Sequence, residues 1–336
     1  MITRIRIQNF RSFVDAEVKL RPFSLVVGAN GSGKSNLLKF FAAASSRSKP
    51  HHTSKGTIHV IGIKRVARWQ KHCNYIEVDS KFLIQTEIAS FETVDSEGLG
   101  LPALDHPIPW QNDDLPIYNL SPMLIAGSES VQPNASIKDS GEGTVQVLDM
   151  LRNGDREDLF DKIEASFKQY VPEVEKLSLR TVEQGKKQIQ VREKGLKELL
   201  PATELSEGTR LVLCILTIVH QENPPPIILL EDIDRGLHPR LFEYVAPMMK
   251  DIAEKHGINI LATTHNPYLV DCFQDDKEAV IIVEKKDGAS TLSTLADRLK
   301  DLDYDSVDPE DMPLGNLWFS GLVGGVPAKI NRRPAN

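Results

Sequence analysis

Apolar and polar residues alternate over Ile2–Ile7, a period of two that predicts a β-strand. Val14–Leu20 predicts a second strand, and the apolar run Phe23–Val27 predicts a third. A glycine-rich stretch, Gly28–Ser35, separates that run from Asn36–Ala44, a short predicted helix. His51–Gly56 is polar and turn-like, whereas Thr57–Val66 and Tyr75–Phe91 space charged residues between apolar ones, as strands do. Leu101–Ser140 breaks the pattern. Pro102, Pro107, Pro109, Pro116, Pro122 and Pro133 predict irregular structure there, either a surface excursion or a lid or partner-binding insertion. Order resumes near Thr144. Arg156–Tyr170 predicts a helix with Leu159, Phe160, Ile163 and Phe167 on one face, and Val174–Val182 and Gln188–Val191 predict paired strands around Gly185. The helix Thr209–Val219, strand Ile227–Leu230, helix Leu241–Lys255 and strands Ile258–Ala262 and Ala279–Glu284 follow, an α/β succession. No heptad pattern is sustained, so no long coiled coil is expected.

The 336 residues are 40% hydrophobic, enough for one large domain or two smaller ones. The formal charge of -7 argues against a generally basic nucleic-acid coat. It leaves open two local basic clusters, Lys64, Arg65, Arg68 and Lys71, and Lys186, Lys187, Arg192 and Lys194, read either as a DNA surface or as ordinary solvated charges. Cys73, Cys214 and Cys272 form neither a metal spacing nor a disulfide framework, and the N-terminus lacks a signal-peptide core. The longest apolar stretch, Leu211–Val219, is too short to span a bilayer. The expectation is a cytoplasmic protein without membrane insertion.

Candidate chemistry begins at Gly28–Ser35, GANGSGKS, which fills every position of G-x-x-x-x-G-K-[ST] between a predicted strand and a predicted helix. A glycine turn lets successive N–H groups converge on phosphate, and the helix start adds positive potential. Asn30, Gly31, Ser32, Gly33, Lys34, Ser35 and Asn36 are the candidate nucleotide contacts, with Lys34 reaching the β and γ phosphates and Ser35 placed for Mg²⁺. Ile227–Leu230 ends in Glu231, a candidate Mg²⁺ organiser, and Asp232, a candidate base or positioning group for attacking water; solvated helix-start acids are the alternative. His265, directly after Ile258–Ala262, is read either as a sensor of the γ phosphate or as an ordinary surface or core histidine. His238 either orients the loop after Asp232, contacts an opposite subunit, or is structural. Ser206 and Gly208 precede an apolar helix, as an N-cap and a close-approach glycine: a second phosphate-binding helix or an ordinary capped core helix.

The ordered set IQNFRSF (Ile7–Phe13), GANGSGKSN (Gly28–Asn36), LSEGTR (Leu205–Arg210), LLEDIDRGLHPR (Leu229–Arg240) and THNPYLVD (Thr264–Asp271) resembles the RecF/SMC-like branch of the ABC ATPases, including the ATPase part of OLD-type proteins. The resemblance implies a P-loop core with an N-terminal antiparallel β subdomain and a helical signature-motif lobe. Residues 1–90 and 144–285 would be the halves of a split head and 286–336 a C-terminal extension; the resemblance does not specify 91–143, a proline-rich insertion or loop region. It implies ATP and Mg²⁺ as ligands. It also implies a homodimer in which Ser206 and Gly208 cap the nucleotide held by the partner, Asp234–Leu237 crosses the seam, Asp232 takes the hydrolytic place and His265 is the switch histidine. Many family heads serve DNA repair, DNA-end recognition or phage defence, and several of the defence forms work with a nuclease, fused or encoded separately. The expected function is ATP hydrolysis that regulates a nucleic-acid-directed or defence effector, with direct DNA binding open; the alternatives are a low-turnover ATP-gated DNA-binding clamp and a transporter ATPase subunit. Two departures stand out. The acidic pair is Glu-Asp, with a second carboxylate one methylene shorter than the usual glutamate. The metal-loop glutamine is either Gln70 or Gln85. Leu317–Pro327, LWFSGLVGGVP, is read either as a docking segment or as a piece packed on its own head.

Overall fold

The computed structural model describes residues 1–45, the segments 57–59, 65–69, 74–77 and 91–95, residues 115–302 apart from 133 and 236, and residues 312–327. Gln70, Gln85, Lys64, Lys71, Cys73, the turn at 51–56, Pro102, Pro107, Pro109, Pro133, and residues 303–311 and 328–336 fall outside these residues. The chain divides into two compact units, residues 2–112 with 263–336, and residues 113–262 with Met1.

In the first unit β1 (Arg4–Phe10) and β2 (Phe13–Lys19) form an antiparallel hairpin closed by Arg11 and Ser12. The alternation has its cause here: Ile5, Ile7, Ala16 and Val18 are buried, while Arg4 pairs with Glu17 and Arg6 with Asp15 across the strands. β3 (Phe23–Gly28) is buried along its whole length and ends where α1 (Lys34–Ser45) is about to begin. Leu37, Leu38, Phe40 and Phe41 of α1 are buried, and Phe40 meets Phe10 edge-on with ring centroids 5.6 Å apart. β4 (Thr57–His59) adds to β1. β5 (Arg65–Trp69), β6 (Asn74–Glu77) and β7 (Phe91–Asp95) form an antiparallel sheet with β5 central.

The second unit opens inside the proline-rich stretch, and here the structure departs from the surface excursion. β8 (Ile117–Tyr118), α2 (Pro122–Ile125) and β9 (Glu129–Ser130) are short but anchored, with Tyr118 and Ile125 buried. Pro116 precedes a strand and Pro122 occupies the first turn of a helix, where a missing N–H costs little. α3 (Thr144–Asn153) and α4 (Glu157–Tyr170) follow, α4 burying the four apolar residues read from its sequence. β10 (Val174–Glu183) and β11 (Lys186–Glu193) pair around Gly185, flanked by β12 (Leu200–Pro201) and β9. α5 (Glu207–His220) is buried nearly all round and packs on α2, α3 and α4. Each of its fully buried large apolar side chains is worth about 1.5–3 kcal/mol. β13 (Ile227–Leu230) runs parallel to β8 and to β14 (Asn259–Thr263), with α6 (Phe242–His256) between β13 and β14 in the chain.

The chain then returns to the first unit. α7 (Pro267–Asp271) leads to β15 (Val280–Lys286), which runs parallel to β3 with Val283 opposite Gly28. β16 (Ala289–Thr294) pairs antiparallel with β15, and α8 (Leu295–Lys300) and α9 (Leu314–Phe319) follow. β16 reads ASTLST, without an apolar alternation; its pairing with β15 makes it a strand.

Candidate nucleotide-binding site

β3 delivers the glycine loop at its carboxyl end. Ser32 N–H donates to Ala29 O at 3.1 Å, and Leu37 N–H donates to Gly33 O at 2.9 Å as α1 begins. Gly31 and Gly33 hold φ of +75° and +122°, which residues with a Cβ rarely adopt. At Gly28 a Cβ would collide with the Val283 carbonyl oxygen. Lys34 is 7% exposed, and its Nζ donates to Gly28 O at 2.8 Å and Ala29 O at 3.2 Å. The ammonium is thus folded back over its own loop. Ser32 Oγ is buried without a hydrogen-bond partner among the described residues, and the first turn of α1 carries no acidic side chain. A cavity of about 430 Å³ opens beside the loop, lined in part by Asn30, Gly31, Ser32, Glu284, Lys285 and Val326. An orphaned hydroxyl, a buried lysine and a helix start free of acidic side chains in its first turn fit a phosphate group.

Three side chains brace this loop from outside. Ser290 Oγ donates to Ser32 O at 2.5 Å and lies 2.7 Å from Ser12 Oγ. Asn36 Nδ2 also donates to Ser12 Oγ, at 2.9 Å, and Asn36 Oδ1 accepts from Arg11 at 3.3 Å. Asn36, read as a nucleotide contact, therefore spends its amide on the β1–β2 turn. Ser12 lies within the IQNFRSF segment, but the sequence attaches no role to it. Ser290 stands 258 residues from Ser32, and no local signal marks it.

His265 is exposed and follows β14. Its neighbour Thr264 is held to β3, with Thr264 N–H donating to Val26 O at 3.2 Å, two residues before Gly28. Asn266 caps α7 by accepting from Tyr268 N–H at 3.0 Å. The loop and His265 are thus in the same unit.

Ser206, Gly208, Glu231 and Asp232 belong to the other unit. Ser206 is the N-cap of α5, its Oγ accepting from Thr209 N–H at 3.1 Å. Gly208 lies in the first turn, where a Cβ would come within 2.6 Å of Leu241 Cδ1. Glu231 N–H donates to Tyr118 O at 2.7 Å, tying the carboxyl end of β13 to β8. Asp232 sits at φ +50°, a left-handed conformation that aspartate tolerates, and its carbonyl accepts from Arg235 N–H at 2.9 Å. α5 and the acidic pair share a small cavity of about 20 Å³, with Leu211, Ile215, Glu231, Asp232 and Leu237 among its walls. His238 has a structural task, its Nδ1 accepting from Arg240 N–H at 3.3 Å at the start of a 3₁₀ turn.

Among the described residues no group of three or more His, Cys, Asp or Glu could hold a metal ion. Mg²⁺ commonly takes one or two protein ligands alongside phosphate oxygens and water, so a nucleotide-bound Mg²⁺ does not require such a cluster. In the second basic cluster, Lys186 pairs with Glu183, Lys187 with Asp149 and Arg192 with Glu175. The LWFSGLVGGVP segment packs on its own unit: Leu317 and Trp318 are buried and Gly325 N–H donates to Glu284 at 2.7 Å, while just before the segment Gly315 N–H donates to Asp271 at 2.7 Å. Phe319 is the large apolar side chain that α9 leaves exposed, at 71%. No helix among the described residues is long and apolar enough to cross a membrane.

Residues 128–271 match the family described as "AAA domain, putative AbiEii toxin, Type IV TA system", and residues 1–105 match "AAA ATPase domain". No curated protein matches the chain. Among solved structures, the SMC head domain from Thermotoga maritima is similar at 14% identity, covering 87% of this chain and 97% of its own, with a TM-score of 0.46. The Smc head domain from Pyrococcus furiosus with an extended coiled coil, bound to the C-terminal domain of ScpA, is similar at 14% identity, 91% and 99% coverage and a TM-score of 0.49. An SmcHead bound to the C-winged helix domain of ScpA gives 15% identity, 87% and 96% coverage and a TM-score of 0.48. Similarity at this level assigns neither activity nor partner.

Proposed function

We propose that this chain, a RecF/SMC-like ABC-type ATPase, binds Mg·ATP on the Gly28–Ser35 loop and hydrolyses it as a head-to-head homodimer that regulates a separate nucleic-acid-directed or defence effector. The carrying observation is the loop itself: a buried Lys34 folded over two loop carbonyls, beside a buried Ser32 hydroxyl without a hydrogen-bond partner among the described residues and a helix whose first turn carries no acidic side chain. In this reading Lys34 exchanges its carbonyl partners for phosphate oxygens, a charge-assisted contact stronger than the neutral bonds it leaves. Ser35 and Glu231 hold Mg²⁺, which supplies neutralisation of charge developing on the phosphate oxygens. Asp232 orients or deprotonates the attacking water, and His265 reports on the γ phosphate. Ser206, as the cap of α5, leaves N–H groups at that helix start for the nucleotide of the opposite subunit. The separate effector rests on the family resemblance, since several relatives of this type work with a nuclease.

Nucleotide binding and phosphate release, measured side by side on Lys34→Ala and Asp232→Asn, test the assignment. Lys34→Ala should weaken ATP binding by about tenfold or more, as expected for a lost charged hydrogen bond of about 1.5–3 kcal/mol. Asp232→Asn should bind ATP nearly as wild type and release little phosphate. Equal turnover in wild type and Asp232→Asn would remove Asp232 from the reaction. The left-handed backbone and short side chain at Asp232 favour a second reading, an ATP-gated clamp with little turnover. It predicts intact binding, nucleotide-dependent dimer closure and negligible phosphate release already in the wild type.

A further inference from the structure

We propose that Ser290, on β16, is a positioning residue for nucleotide binding, holding the phosphate loop in the form that presents the Gly33 N–H to phosphate. This rests on the Gly28–Ser35 loop being the nucleotide site. Ser290 is 1% exposed and Ser32 3% exposed, so the 2.5 Å bond from Ser290 Oγ to Ser32 O lies out of water. In a trans peptide the carbonyl and the following N–H point in opposite directions. Pinning Ser32 O against β16 therefore turns the Gly33 N–H to the opposite side, away from the strand. The anchor is itself fixed: Ser290 N–H donates to Ser12 O at 2.6 Å, Ser290 Oγ lies 2.7 Å from Ser12 Oγ, and Asn36 reaches the same Ser12 hydroxyl from α1. Gly33 belongs to this design. A Cβ there would stand 2.7 Å from Ser290 Oγ and 3.2 Å from Ser12 Oγ, so the serine fills the space that the glycine leaves. Without Ser290, rotation of the Ser32–Gly33 peptide would be less restrained, and part of the binding free energy would go into ordering it.

The test is calorimetric titration of the full-length protein with Mg·ADP and with Mg and a nonhydrolysable ATP analogue. Wild type, Ser290→Ala, Ser12→Ala and the exposed β16 control Thr291→Ala are compared at a temperature where each retains its native circular dichroism. Ser290→Ala should raise both dissociation constants about fivefold to tenfold, the equivalent of one ordinary hydrogen bond. Ser12→Ala should raise them less, and Thr291→Ala should leave them unchanged. The nucleotide-induced rise in melting temperature should also shrink in Ser290→Ala relative to its own nucleotide-free value, a change that a purely structural role would not produce. Wild-type affinity in Ser290→Ala, or an equal loss in Thr291→Ala, overturns the assignment. A wild type that binds no nucleotide overturns the underlying reading of the loop instead, and Ser290's role with it.

Discussion

Substituting alanine at Gly33 and at Gly31 separates two kinds of demand on the same loop. Gly31 holds φ +75° with nothing within 4 Å of where a Cβ would stand, so alanine there meets conformational strain alone. That cost is about 1–2 kcal/mol for a left-handed residue. Gly33 holds φ +122°, a less favourable region for an L-residue, which costs about 1–3 kcal/mol. Its Cβ also displaces Ser290 Oγ, and the buried Ser32 carbonyl would lose its partner at a further cost of about 1–3 kcal/mol. Gly33→Ala should therefore destabilise by about 2–6 kcal/mol. At ~2–4 °C per kcal/mol for a domain of this order, its melting temperature should fall roughly two to three times as far as that of Gly31→Ala, taking the middle of each range (about 4 against about 1.5 kcal/mol).

Differential scanning calorimetry on the two variants, and on each in a Ser290→Ala background, checks both numbers. Truncating Ser290 removes the 2.7 Å contact but leaves its Cβ 3.2 Å away, so Gly33→Ala should cost less in that background by about 0.5–3 kcal/mol. Gly31→Ala should cost the same in both. Equal costs at the two glycines, or strict additivity between Gly33→Ala and Ser290→Ala, would refute the contact between loop and strand as the source of the glycine requirement.

Two further outcomes are expected. Ser206→Arg should leave nucleotide binding by the Lys34 loop intact while abolishing ATP-dependent closure, which small-angle scattering of the Asp232→Asn background with and without Mg·ATP would detect; closure that survives the arginine removes α5 from the proposed dimer seam. His220 and His256, edge-on with centroids 4.7 Å apart, both have pKa values lowered below the ordinary 6.5, first by burial and, for His256, next by the charge of His220. The unfolded chain then takes up protons first as pH falls below about 6.5, so the stability these rings contribute is present above that pH and is lost below it. Unfolding midpoints between pH 7.5 and 5 should fall less steeply in His256→Asn than in wild type, and an unchanged slope would contradict the coupling.

What could be read without coordinates follows the distance over which each feature is decided. GANGSGKS is contiguous, and its glycines sit where the loop needs positive φ or close approach, so at the glycines the pattern and the geometry agree. Ser206 as a cap and α5 as a buried helix were equally legible, since a hydroxyl before a long apolar run is a local signal. β8 was hidden because a two-residue strand between prolines has no periodicity; its place beside β13 comes from burial of Tyr118 and from the bond that Glu231 N–H makes to it. β16 was hidden for a related reason, since Ser290, Ser293 and Thr294 face hydrogen-bond partners and Thr291 faces solvent rather than an apolar core. The same property makes β16 informative. A strand built for packing would need apolar residues at its buried positions, whereas Ser290 is buried and polar, with its hydroxyl committed to Ser32 and Ser12. A buried hydroxyl adds little net stability over an apolar isostere once its desolvation is counted. Its presence is better explained by what it orients, and what it orients is the loop that the sequence marks most clearly.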